Sequence, residues 1–283
     1  MSKTILITGT STGFGHLTAL KLAAEGHTVF ASMRSPASKN RVHAQTLERK
    51  GITVIELDVT NNDSIERAVK HITEQAGRLD VLVNNAGFAA AGISEAYTDE
   101  QVTDMFDVNV VGVHRLMRAV LPIMRRQQSG LIINVGSILG RVTFPFFGIY
   151  GASKFALEAL SDSYRYELSQ SGVDVVLLQP SAFPTSMYSS AQQPLELDRT
   201  EQYGDVASIP GAMFENFMET FAAADAPNPD DVASSITSLV SSPQDQRPHR
   251  LVVGAGFGAD AVNEVTAPIQ KKTIEALGLS HLS

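Results

Sequence analysis

The sequence predicts a single α/β domain built on a doubly wound, mostly parallel seven-stranded sheet with helices on both faces. Three observations carry that prediction. Short β-branched runs alternate with longer segments of helical periodicity along most of the chain, the pattern that builds parallel sheets through crossover helices. Most of the short runs are apolar almost without interruption, as strands covered on both faces must be. The first run ends in a glycine-rich turn that opens a helical pattern, a junction suited to holding phosphate at a helix N-terminus.

The elements follow in order. TILIT (4–8) is the first strand, and TGTSTGFGH carries Gly9, Gly13 and Gly15 into a helix whose Leu17, Leu20 and Ala24 recur at i, i+3, i+7. TVFAS (28–32) and ITVIEL (52–57) are the second and third strands; Ile65, Val69 and Ile72 then mark a helix face. DVLVNN (80–85) is the fourth strand. Thr98 with Gln101 reads as a capping box opening a long helix toward Pro122. LIINVG (131–136) and VDVVLL (173–178) flank a helix containing GIYGASKFALEAL (148–160), and RLVVG (250–254) closes the sheet. Between 183 and about 231 the strand–helix rhythm lapses, which reads as a substrate-loop insertion. Within it Met213, Phe217 and Phe221 keep helical spacing. The extension 255–283 is expected to be largely helical.

Composition narrows the function classes. The 283 residues are 43% hydrophobic and 18% charged, with a net charge of -8 from 22 basic and 30 acidic side chains. An acidic chain without segregated basic residues is a poor partner for nucleic-acid phosphate. There is no cysteine, so disulfides and thiolate chemistry are excluded. The seven histidines, His16 and His114 among them, show no ligand spacing, and no metal is expected. No apolar run reaches the roughly 18 residues of a membrane span. The opening MSKTILITG offers no long apolar region or cleavage site, so a cytoplasmic protein is expected.

The glycine turn predicts a dinucleotide: glycines permit a tight turn and close approach of backbone to pyrophosphate. Folds that choose NAD place Asp or Glu on the ribose 2′-hydroxyl about 20 residues on. Here that position is Met33, followed by Arg34. Arg34, with Ser11, is the candidate clamp for a 2′-phosphate, which makes NADP(H) the expected cofactor over NAD(H); the alternative is a solvated loop charge. Asp58 either accepts from an adenine amino group or caps the next turn.

Tyr150 and Lys154 share a helix face. Alone the pair reads as an amphipathic tyrosine beside a lysine whose stem covers apolar surface. Chemically, an ammonium about 4 Å from a phenol would draw its pKa from about 10 toward about 7.

The glycines together with NNAG (Asn84 to Gly87), Asn109, Ser137 and Tyr150-x-x-x-Lys154 resemble the short-chain dehydrogenase/reductase family across nearly the whole chain. The segments VFASMRS and GIYGASKFALEALSDSYRYEL resemble its branch of 17β-hydroxysteroid and retinol dehydrogenases. The resemblance implies a Rossmann fold in which Tyr150 is the general acid/base. Lys154 would lower its pKa and bind the nicotinamide ribose, Ser137 would hydrogen-bond the substrate oxygen, and Asn109 would hold a water linking Lys154 to solvent. It further implies cofactor contacts from Gly9, Ser11, Gly13, Phe14, Gly15, Arg34, Asp58, Val59, Asn85, Ala86, Gly87, Pro180, Phe183 and Thr185. Ser137 could instead cap a turn, and Asn109 could interrupt a helix and be satisfied by backbone. The family's Pro-Gly after the sixth strand is Pro180-Ser181 here, and serine is less free than glycine at positive φ.

Phe144, Phe146 and Phe147 either line an apolar pocket or pack as core and subunit contacts. With Phe183, Met187 and Tyr188 they favour a bulky hydrophobic carbonyl or alcohol, with Ser137, Phe144, Phe147, Tyr150 and Met187 as the expected substrate pocket. The resemblance also implies a homo-oligomer, dimer or tetramer, through the helices bearing Asn109 and Tyr150. Two other classes stay open: a non-catalytic NADP(H) sensor on the same fold, and an interaction protein.

Overall fold

The computed structural model describes residues 2–282, the side chain of Asp245 excepted. Its elements in chain order are β1 (Thr4–Thr8), α1 (Gly13–Ala24), β2 (Thr28–Met33), α2 (Arg41–Glu48), β3 (Thr53–Glu56), α3 (Asn62–Ala76), β4 (Val81–Asn84), α4 (Asp99–Phe106), α5 (Gly112–Gln127), β5 (Gly130–Val135), α6 (Gly148–Leu168), β6 (Val173–Pro180), α7 (Ser186–Ser189), α8 (Leu197–Glu201), α9 (Ile209–Ala222), α10 (Asp230–Ser241), β7 (Arg250–Val253) and α11 (Ala259–Ala276). Every strand read from the sequence is present. The seven lie in the order β3-β2-β1-β4-β5-β6-β7, all parallel.

Continuous apolar strands are explained by what covers them. In β1, Ile5 and Ile7 face a layer containing Leu22 of α1, Leu47 of α2 and Ile236 of α10, while Leu6 faces the other layer with Ile72 of α3, Val120 of α5 and Leu157 of α6. The alternation puts one apolar set on each face.

The helix patterns hold with two corrections. Ile65, Val69 and Ile72 are buried on α3, and Asn61 and Gly77, the latter at φ 71°, cap its ends. On α1, however, the buried residues are Gly15, Thr18, Ala19 and Leu22, not the stripe Leu17, Leu20, Ala24. This helix packs both on the sheet and on α10, to which Lys21 is paired through Asp230 at 2.7 Å. Contact on two sides favours small residues over a single large stripe. The Thr98–Gln101 capping box is formed, but the long helix it opens is broken. A π-turn, Asp107–Val111, separates α4 from α5, and α5 runs past Pro122 to Gln127.

Between 183 and 231 the chain forms α7, α8, a 3-10 turn at Gly204–Ser208 and α9 before α10 begins. The extension forms α11. No helix among the described residues is long and apolar enough to cross a membrane.

Candidate active site

Strand order reverses between β1 and β4, and a crevice opens beyond the carboxyl ends of the strands there. It is a cleft of about 830 Å³, counting its mouth open to solvent, lined by Phe14 of α1, by segments at the ends of β4, β5 and β6, and by the chain around α7, α9 and β7.

At one end lies the glycine turn. Gly9 has φ 69°, and a Cβ on it would stand 2.8 Å from the Cα of Ala86. At Gly15 a side chain would meet the Gly9 carbonyl at 2.6 Å and the Asn85 amide. Gly13, at φ 59°, begins α1, and its neighbour Thr12 makes no side-chain cap, so the first-turn N–H groups are left for another acceptor. A cradle closed to side chains, with uncapped N–H donors, fits a pyrophosphate. Asn85 fixes the cradle: its amide donates to the Thr8 and Gly9 carbonyls at 2.8 and 3.0 Å. The Thr10 N–H donates to the Ser32 carbonyl at 3.0 Å, which sets the turn beside the end of β2. Ser11 is half-buried in the turn. Met33 is buried where a carboxylate would serve NAD, and the exposed Arg34 follows without an ion pair among the described residues.

Asp58 and Val59 are partly committed to the fold. The Asp58 carboxylate accepts from the Thr60 N–H and hydroxyl at 2.9 and 2.7 Å, so one of its oxygens caps the turn. The Val59 side chain packs into the core.

At the centre stand Ser137, Tyr150 and Lys154. Ser137 follows β5, and its oxygen accepts from the Leu139 N–H at 3.1 Å, so it does cap the 3-10 turn Ile138–Gly140. It also stands close enough to Tyr150 to pull the phenol pKa down. Ser137 and Tyr150 both line the cleft. Lys154 Nζ donates to the Val135 carbonyl at 3.0 Å and lies 5.6 Å from the centre of the Tyr150 ring. Burial pushes the Tyr150 phenol up to about 12, opposed by the Ser137 side chain, and brings Lys154 down to about 8. The spacing argument expected the ammonium to lower the phenol. In the chain alone, desolvation dominates both groups.

Asn109 sits in the π-turn beside Gly87. Its side chain accepts from the Phe88 N–H at 3.2 Å and donates to the Phe88 carbonyl at 3.0 Å and the Ser153 hydroxyl at 3.1 Å. The Phe88 backbone thus holds this side chain in the helix interruption.

Beyond β6, Phe183 is 1% exposed and meets Phe14 edge-on at 5.6 Å. Pro180, Phe183 and Thr185 line the cleft, and Thr185 lies within 4 Å of a Cβ built on Gly13. Ser181 is not at positive φ, and its N–H donates to the Val253 carbonyl at 2.9 Å. Serine in place of glycine therefore costs no backbone strain here.

The far end is apolar. Phe144, Phe147 and Met187 line it, whereas Phe146 faces a neighbouring space. Phe257 completes the wall, 5.5 Å from Phe144. Sequence reasoning did not single it out, because it follows β7 in an irregular segment, at φ 49°.

The fold and this site define a nicotinamide-type oxidoreductase architecture, and comparison with known proteins agrees. A family model described as short chain dehydrogenase matches residues 3–196. A 3-ketodihydrosphingosine reductase of Bacteroides thetaiotaomicron is 38% identical over 202 residues, 71% of each chain. The 17-beta-hydroxysteroid dehydrogenase type 1 of Homo sapiens is 33% identical over 262 residues, 86% of this chain and 76% of that protein. A solved short-chain dehydrogenase from Streptomyces avermitilis superposes with a TM-score of 0.78 at 28% identity, covering 98% of this chain and 97% of that one. The chain belongs to the short-chain dehydrogenase family and is an oxidoreductase of that family. Structures sharing the fold have been solved with NADPH in one case and NAD in another.

Proposed function

We propose that the chain interconverts a carbonyl and a secondary alcohol on a hydrophobic substrate with NADP(H). The observation that carries this reading is that Ser137, Tyr150 and Lys154 line one largely apolar cleft. When bound, the nicotinamide supplies or accepts the hydride. In reduction Tyr150 gives its proton to the carbonyl oxygen, and Ser137 donates a second hydrogen bond. Donors aimed where negative charge develops stabilise the transition state more than the ground state. Lys154, held on the Val135 carbonyl, keeps a cationic donor at the floor of the cleft. The aromatic end excludes water and holds the body of the substrate.

The choice of NADP(H) rests on neutral Met33 standing where a carboxylate would repel the 2′-phosphate, with the exposed Arg34 next to it. Replacing Arg34 by Asp should cost NADPH roughly ten- to a hundred-fold in kcat/KM, the scale of one charged hydrogen bond, while NADH improves in relative terms. Steady-state kinetics with both cofactors on a hydrophobic ketone test this. A wild type that prefers NADH, or an indifferent variant, overturns the cofactor assignment.

The same reading includes a cytoplasmic homo-oligomer. Val111 in the π-turn leading into α5, 39% exposed, and Phe155 on α6, 43% exposed, offer apolar surface on the segments the family pairs.

A further inference from the structure

A second, smaller space adjoins the cleft. It measures about 370 Å³, counting the part open to solvent. Ala89, Phe147, Tyr188 and Phe217 line both spaces and so stand between them. Beyond them the walls are Ala91, Phe146, Ala191, Pro210, Met213 and Phe214, with no charged group. The first space ends on Ser137 and Tyr150 and can orient a carbonyl; the second can supply only dispersion and hydrophobic contact.

The helix over both spaces is held by the same partition. None of the α9 residues is fully buried, and it makes no ion pair to the body among the described residues. Phe217 meets Phe147 at 6.3 Å and Tyr188 at 5.6 Å, and Phe221 meets Tyr188 at 5.0 Å. Aromatic pairs of this kind contribute about 0.5–1.5 kcal/mol each beyond area burial. An apolar occupant under Met213 and Phe214 would add contact to a helix that otherwise rests on one seam.

We propose that the second space is a subsite for the flexible hydrocarbon tail of the substrate, making the substrate class a long-chain aliphatic ketone or alcohol. A chain can bend around the Phe147–Phe217 seam with its carbonyl on Tyr150. A rigid fused-ring ketone is confined to the first space. This inference rests on the carbonyl–alcohol reading and extends it.

Methyl ketones of increasing alkyl length, butanone to tetradecanone, test it with NADPH. kcat/KM should rise about three- to four-fold per methylene once the tail passes the seam, from the transfer free energy of a buried methylene, until the subsite is full. Ala191→Phe, which fills the subsite, should collapse the ratio of long-chain to short-chain kcat/KM. A second readout does not depend on turnover. The chain has no tryptophan, so F214W places a single indole at the subsite, and a bromine-bearing long-chain alcohol should quench its fluorescence while bromoethanol at equal concentration does not. Loss of all ketone turnover with quenching intact would count against the carbonyl–alcohol reading but leave the tail subsite standing. Flat chain-length dependence, an unchanged ratio in Ala191→Phe, or absence of long-chain quenching would overturn the subsite.

Discussion

Tyr150 and Lys154 are 7% and 5% exposed, and burial favours the neutral form of each. For Lys154 the folded value of about 8 lies below the ordinary 10.5. The unfolded chain then binds more protons than the folded one between those values, so this group makes stability rise with pH across that window, and its penalty is complete below about 8. Denaturant midpoints of the cofactor-free protein should show that rise, and Lys154→Met should lack it; parallel profiles would mean the ammonium is not buried as described. For Tyr150 the shift to about 12 keeps the phenol protonated throughout the neutral range, the state a proton donor in carbonyl reduction requires. Their proximity was legible because residues four apart on a helix are neighbours. The direction of the phenol's shift was not, since desolvation depends on Leu139, Phe147, Met187 and the rest of the wall packed around it, which sequence spacing does not contain.

One turn beyond Lys154, Glu158 is 3% exposed and ties several elements together. Its carboxylate stands 2.8 Å from Arg141, just past the serine-bearing turn, and accepts from Gln179 of β6 at 2.5 Å. Gln179 in turn accepts from Asn263 of α11 at 2.7 Å. The Arg141 contact is one of charge rather than an aligned hydrogen bond, because neither facing atom has a hydrogen-bond partner. Burial raises the Glu158 pKa and lowers that of Arg141. Glu158→Gln keeps the shape but leaves the half-buried Arg141 guanidinium without its carboxylate, and should cost about 1–3 kcal/mol of stability. It should also lower kcat more than it changes NADPH affinity, since the turn it braces carries Ser137. Thermal melts with steady-state kinetics check both; an unchanged melt would show that the pair is not braced. At this scale the sequence was legible where local rules act alone, as in the Thr98–Gln101 box. It was not legible where tertiary contact decides. The π-turn at Asn109 depends on Phe88 and Ser153, and α2 is too short to show a stripe, burying only Ala44 and Leu47.

Across the whole molecule, seven parallel strands bring residues far apart in sequence to one crevice: Gly9 after β1, Asn85 and Gly87 after β4, Ser137 after β5 and Phe183 after β6. Apolar strand runs and crossover spacing made this architecture readable, because each strand needs two covered faces. The pocket roof was less so. Met213, Phe217 and Phe221 revealed a helix, but that it lies across Phe147 and Tyr188 follows from long-range aromatic contact. The account stands most directly on one comparison: NADPH oxidation with a long-chain ketone by wild type and Tyr150→Phe, alongside NADPH binding by both. Turnover lost in the variant with cofactor binding nearly unchanged is the predicted result. A variant that still reduces the ketone would contradict Tyr150 as the proton donor and the mechanism built on it.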